Sequence, residues 1–176
     1  MTSFVFKIMV FDKSAKEGYH GGLMSEQWAI DPLVFARKGS ELCGEIPLSH
    51  MARLCTALAS DIGTVQVYVR GRRDGAGRST LDCEIACRLS LECQRCLEPF
   101  EFDLQREAHF VLVESDDALP ELDEEEPDVE TIVGRGRLDL TALVEDEILL
   151  SLPIAPRHPT EECTAGPVAA AADPGV

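Results

Sequence analysis

The hydrophobic and polar positions of the chain change period as it runs from residue 50 to residue 115. Met51, Leu54, Cys55 and Leu58 recur at i, i+3, i+4 and i+7, the spacing of one face of a short helix. Ser49 stands where an N-cap is expected and Gly63 where a stop is. The period then becomes two. Val65, Val67 and Val69 alternate with Gln66, Tyr68 and Arg70, and Asp74-Gly75-Ala76-Gly77 supplies turn chemistry. In the next strand Leu81, Cys83, Ile85, Cys87, Leu89 and Leu91 face one way, against Asp82, Glu84, Arg88, Ser90 and Glu92. A third strand after Pro99 sets Phe100, Phe102, Leu104, Ala108, Phe110 and Leu112 on one side. Three strands with short connections imply an antiparallel meander, one face packed and one wet.

Further on, Asp139 can cap a helix through LTALVEDEILLSL, with Leu140, Leu143, Val144 and Ile148 as its apolar face. Pro153 and Pro156 then force extended chain. These elements predict an α+β fold: an antiparallel β-meander with flanking helices, an acidic loop and disordered termini. Composition changes at Met24, so residues 1–23 are expected to be an N-terminal extension, disordered or not native, with Met24 as the natural start. The domain is expected over 24–163, followed by a small-residue tail over 164–176 that is expected to be disordered.

Charge adds a second layer. The chain has 176 residues and a formal net charge of −16. Ten acids and no base lie between Glu114 and Glu130, leaving 22 acids against 16 bases elsewhere. Such a stretch is a solvated loop held open by self-repulsion, or a surface that attracts a basic partner. No apolar run approaches the roughly 20 residues that span a bilayer, and no signal peptide is read, so a cytoplasmic protein is expected, with no membrane partner.

Candidate chemistry is sparse. There is no Walker loop, dinucleotide fingerprint or nucleophile elbow, so no catalytic activity and no small-molecule substrate are expected. Cys83 and Cys87 lie on the apolar side of a strand and are read as small core residues, and Cys43 is placed in a loop. Cys93 and Cys96 differ, because they flank the reversal between two strands. Two thiolates three positions apart at a hairpin tip can point at one ion. A redox pair would open a helix, whose N-terminus lowers the thiol pKa, whereas here a strand continues. The other close grouping downstream is His158 with Cys163. The four residues together offer a zinc site; a plain turn with unmetallated thiols is the alternative.

Arg70, Arg72, Arg73 and Arg78 bracket the first hairpin turn, and Arg95 sits between the two cysteines. Guanidinium groups pair well with phosphate, so these five are the candidate RNA contacts, against ordinary surface charge. Glu145, Asp146 and Glu147 are read as a solvated face or a contact for a basic partner. His20, His50 and His109 have no visible companions.

LECQRCLEPF (91–100), an acidic middle, LDLTALVEDEILLSLPIAPRH (138–158) and then Cys163 resemble, in order and spacing, the YceD family of large ribosomal RNA subunit accumulation proteins. A weaker likeness runs back to Trp28, Pro32 and Phe35. The resemblance implies a non-enzymatic role in synthesis, processing or stability of large-subunit ribosomal RNA, in the cytoplasm. It also implies metal binding through Cys93, Cys96, His158 and Cys163. The expected partners are ribosomal RNA or basic ribosomal proteins.

Overall fold

The computed structural model describes residues 28–115, 129–159 and 163. The expected extension over 1–23 and start at Met24, most of the acidic stretch and the 164–176 tail lie outside the described residues. In chain order the elements are β1 (Ala29–Ile30), α1 (Pro32–Lys38), β2 (Glu41–Pro47), a 3-10 turn (Leu48–His50), α2 (Ala52–Cys55), β3 (Thr64–Arg73), β4 (Ser79–Glu92), β5 (Pro99–Val113), β6 (Glu130–Val133), β7 (Leu138–Asp139) and α3 (Leu140–Ser151).

A five-stranded sheet in the order β2-β3-β4-β5-β6 forms the body, and β1 pairs with β7 in a separate two-stranded ladder. The expected meander is its centre: β3, β4 and β5 pair antiparallel, with β4 and β5 in continuous register from Ser79↔Leu112 to Glu92↔Pro99. Besides the short β1 and β7, two strands of the main sheet were not read from the pattern. β2 joins the β3 edge antiparallel, which moves Cys43 from a loop to a strand. β6 lies parallel to β5. Gly44 and Pro47 disguise β2, because both weaken a strand signature.

The alternation along β3, β4 and β5 sends Val65, Val67, Val69, Leu81, Cys83, Ile85, Leu89 and Phe110 into the core. The helices share this face. Asp31 caps α1 by accepting from the Val34 amide at 2.9 Å, and Pro32 fits the first turn, where no N–H is needed. α1 rests on Gly71 of β3, where a Cβ would lie 2.7 Å from Ala36 Cα and from the Phe35 ring. Glycine at 71 thus permits backbone-to-backbone approach of helix and sheet.

α3 starts where the pattern put it. Asp139 accepts from the amides of Thr141 (2.8 Å) and Ala142 (3.3 Å), and Leu140, Val144 and Ile148 are fully buried. The Leu140 amide donates to the Trp28 carbonyl, tying the helix to the start of the domain.

The helix at 51–58 is corrected. It spans only Ala52–Cys55, and Ser49 lies in the preceding 3-10 turn rather than at a cap. Its N-terminal amides are met from a distance: Glu145 of α3 accepts from Arg53 N at 2.7 Å and Leu54 N at 3.0 Å. A carboxylate there satisfies two orphan donors and complements the helix end. The helix also ends long before Gly63, yet Met51 and Leu54 are fully buried, as the periodicity required.

Candidate metal centre

β4 ends at Glu92 and β5 begins at Pro99, so residues 93–98 form the tip of the hairpin. The Cys93 amide donates to Glu98 O at 3.0 Å, and the Leu97 amide to Cys93 O at 2.9 Å. Leu97 has φ 63, a left-handed value that a non-glycine residue adopts only when its surroundings hold it there. The turn thereby folds Cys96 back over Cys93, with Cys93 fully buried.

The second half arrives from α3. Leu152 is already extended, as a residue before proline prefers. The Gln94 amide then donates to Pro156 O at 2.9 Å. This bond helps to fasten the 153–158 segment to the hairpin tip and to deliver His158, whose ring lies 5.0 Å from the Phe100 ring of β5. Cys163 is buried in the same place.

The ligand atoms of Cys93, Cys96, His158 and Cys163 all lie within 4.8 Å of one another. Cys93 Sγ is 4.0 Å from Cys163 Sγ, and Cys96 Sγ is 3.5 Å from His158 Nδ1. Zinc–sulfur and zinc–nitrogen lengths in a tetrahedron place sulfur about 3.8 Å from sulfur and about 3.5 Å from nitrogen. The two separations match that tetrahedron. They exclude a Cys93–Cys163 disulfide, whose sulfurs stand about 2 Å apart.

Electrostatics agree with the geometry. Burial disfavours the Cys93 thiolate, but the backbone amides of Cys96, Arg95 and His158 and the His158 side chain outweigh it and bring the thiol down to about 5. Thiolate is the form that binds metal. By contrast, burial pushes Cys83 and Cys87 up to about 12, which suits inert core residues.

A family model described as large ribosomal RNA subunit accumulation protein YceD matches residues 81–174, just over half of the chain. The chain belongs to the YceD family. A Haemophilus influenzae protein bearing the same description is 28% identical over 134 residues, covering 76% of this chain and 76% of that protein. No solved structure matches. The family match contains all four residues of the centre.

The remaining candidate residues fall elsewhere. Arg70, Arg72 and Arg78 do gather at the far end of the sheet, but each faces a carboxylate: Glu41 at 3.3 Å, Asp82 at 3.0 Å and Asp74 at 2.7 Å. Arg73 is exposed at the end of β3. Arg95 lies in the cysteine turn, well away from that group in sequence. His109, expected to be alone, contacts Asp82 at 2.9 Å.

Glu145, Asp146 and Glu147 do not form one solvated face. Glu145 is buried and bonded to Arg53 and the α2 amides, and Glu147 is buried and bonded to Arg106. Only Asp146 is half exposed, and it pairs with Arg53. The reason is helical phase: Glu147 lies seven residues after Leu140, on the face that Leu140, Val144 and Ile148 turn to the core. Phe100, Gln94 and Pro156 shape the centre without being ligands. The sequence offered Phe100 only as a strand residue and gave no sign of the Gln94–Pro156 bond.

Among the described residues no helix is long and apolar enough to cross a membrane.

Proposed function

We propose that this chain is a non-enzymatic, cytoplasmic factor supporting accumulation of large-subunit ribosomal RNA, and that it acts in ribosome assembly through contacts with basic ribosomal proteins. Family membership supplies the ribosomal setting. The observation that carries the choice of partner is that the hairpin arginines Arg70, Arg72 and Arg78 already face carboxylates in a chain of net charge −16. Phosphate would have to displace those carboxylates and approach a negative field, whereas a basic protein is attracted by it.

In this reading Cys93, Cys96, His158 and Cys163 hold one zinc as a structural cross-link. Bound zinc supplies a closed four-ligand tie with no coordination position left for chemistry. The ligands come from the hairpin tip and from the chain after α3, so the tie secures the C-terminal segment to the sheet.

The second reading is direct RNA binding through a zinc knuckle. It is favoured by Arg95, placed inside the turn that carries two of the ligands. Titrations against large-subunit ribosomal RNA fragments, and separately against purified large-subunit ribosomal proteins, distinguish the two. Direct phosphate contact gives affinity that falls steeply with salt. Protein contact gives no RNA binding even at low salt and measurable binding to at least one basic protein; the reverse pattern would sink the first reading.

A further inference from the structure

Beside the metal centre a cleft of about 390 Å³ opens between the 56–59 turn, the end of β4 and the segment after α3. Leu58, Leu152, Pro153 and Ile154 contribute apolar side chains to a wall that is otherwise polar, with Thr56, Gln94 and the Glu92 carboxylate among its residues. Its walls are fastened in place. The Ala59 amide donates to Ser90 O at 2.8 Å on one side, and the Gln94 amide to Pro156 O at 2.9 Å on the other. Ile154 is fully exposed at 105% and Leu150, in the last turn of α3, is 74% exposed. Large apolar side chains left in water at the edge of a preformed cleft favour a partner that covers them.

We infer that this cleft is a docking site for a basic protein segment carrying an apolar anchor residue. The inference rests on the reading above, that the chain works by contacting basic proteins, and it names the surface. Glu92 is the one charged side chain among the lining residues, and no aromatic ring lines the cleft. Among the lining residues nucleic acid finds neither a cation for its phosphates nor a platform for its bases. A second copy of this chain would bring another Glu92 and another net charge of −16 against the first. A lysine- or arginine-flanked apolar side chain satisfies both the lining and the carboxylate. A cleft fixed before binding also avoids the cost of ordering its own walls when a partner arrives.

The test compares the full chain with Ile154→Ser, Glu92→Lys and, as a control on the opposite face of the sheet, Gln105→Asp. Each is titrated against individually purified large-subunit ribosomal proteins and against a large-subunit ribosomal RNA fragment. Ile154 and Glu92 are exposed, so unchanged circular dichroism melting is expected for both variants. The inference requires that a ribosomal protein bound by the unaltered chain loses about tenfold or more affinity to both cleft variants and none to Gln105→Asp. Undiminished binding by both cleft variants overturns the cleft while leaving the protein-contact reading intact. No binding of any ribosomal protein to the unaltered chain overturns both. RNA binding that Ile154→Ser abolishes assigns the cleft to nucleic acid and also overturns the inference.

Discussion

Glu147 of α3 and Arg106 of β5 meet at 2.9 Å beneath the sheet, with the glutamate side chain 2% exposed and the arginine 40% exposed. The arginine compensates a charge that has almost no water of its own. Arg106→Met should therefore destabilise the domain by about 3 kcal/mol in urea unfolding, since an isolated buried carboxylate is costly. Arg106→Met combined with Glu147→Leu should recover most of that loss. Additive losses in the double variant would show that the pair is not the unit described.

Glu145 makes stability sensitive to acid. Burial opposes its charged form, but the Leu54 amide, the Arg53 side chain and the Arg53 amide hold its carboxyl below the ordinary value of 4.5. A carboxylate with a depressed folded-state pKa contributes stability above its unfolded value and loses it as pH falls through the folded one. Unfolding midpoints measured from pH 7 to pH 3 should therefore drop for the unaltered chain once pH passes below about 4.5. Glu145→Gln should start lower and show a shallower drop; an identical pH profile would contradict the assigned role.

Gly71→Ala probes the contact between α1 and β3. A methyl group there would sit 2.7 Å from Ala36 Cα, so helix and sheet must separate. Overpacking of this kind costs about 1–3 kcal/mol, read as a lower urea midpoint at unchanged slope. Gly75→Ala is the control, because nothing lies within 4 Å of a Cβ at that position.

Purification without chelator should give about one zinc per chain, measured by atomic emission. Cys93→Ser should reduce both metal content and thermal stability, whereas Cys43→Ser, exposed on β2, should change neither. Metal-free protein of unchanged stability would retire the centre.

The sequence made some of this readable and concealed the rest, for physical reasons that differ by residue. Strict alternation from Leu81 to Leu91 allowed only one face to be buried, so β4 and its buried face were legible. Asp139 before Leu140 marked the start of α3 because a cap is a local signal. The cap of α2 was not legible, because Glu145 comes from more than 90 residues away. Glu147 was misplaced because its charge was weighed above its helical phase. The grouping of His158 and Cys163 with Cys93 and Cys96 was readable as ligand chemistry, while the Gln94–Pro156 bond that helps to deliver His158 is a backbone contact and leaves no residue type to notice.

The unbroken β4–β5 pairing also acts as a ruler. β4 runs 14 residues between the arginine turn and the cysteine turn, and at about 3.3 Å per residue it keeps those two turns about 40 Å apart. Arg72 and Arg95 therefore belong to opposite poles of the protein. No compact ligand touches both, so a partner held at the cysteine turn leaves the arginine turn free to keep its own carboxylates.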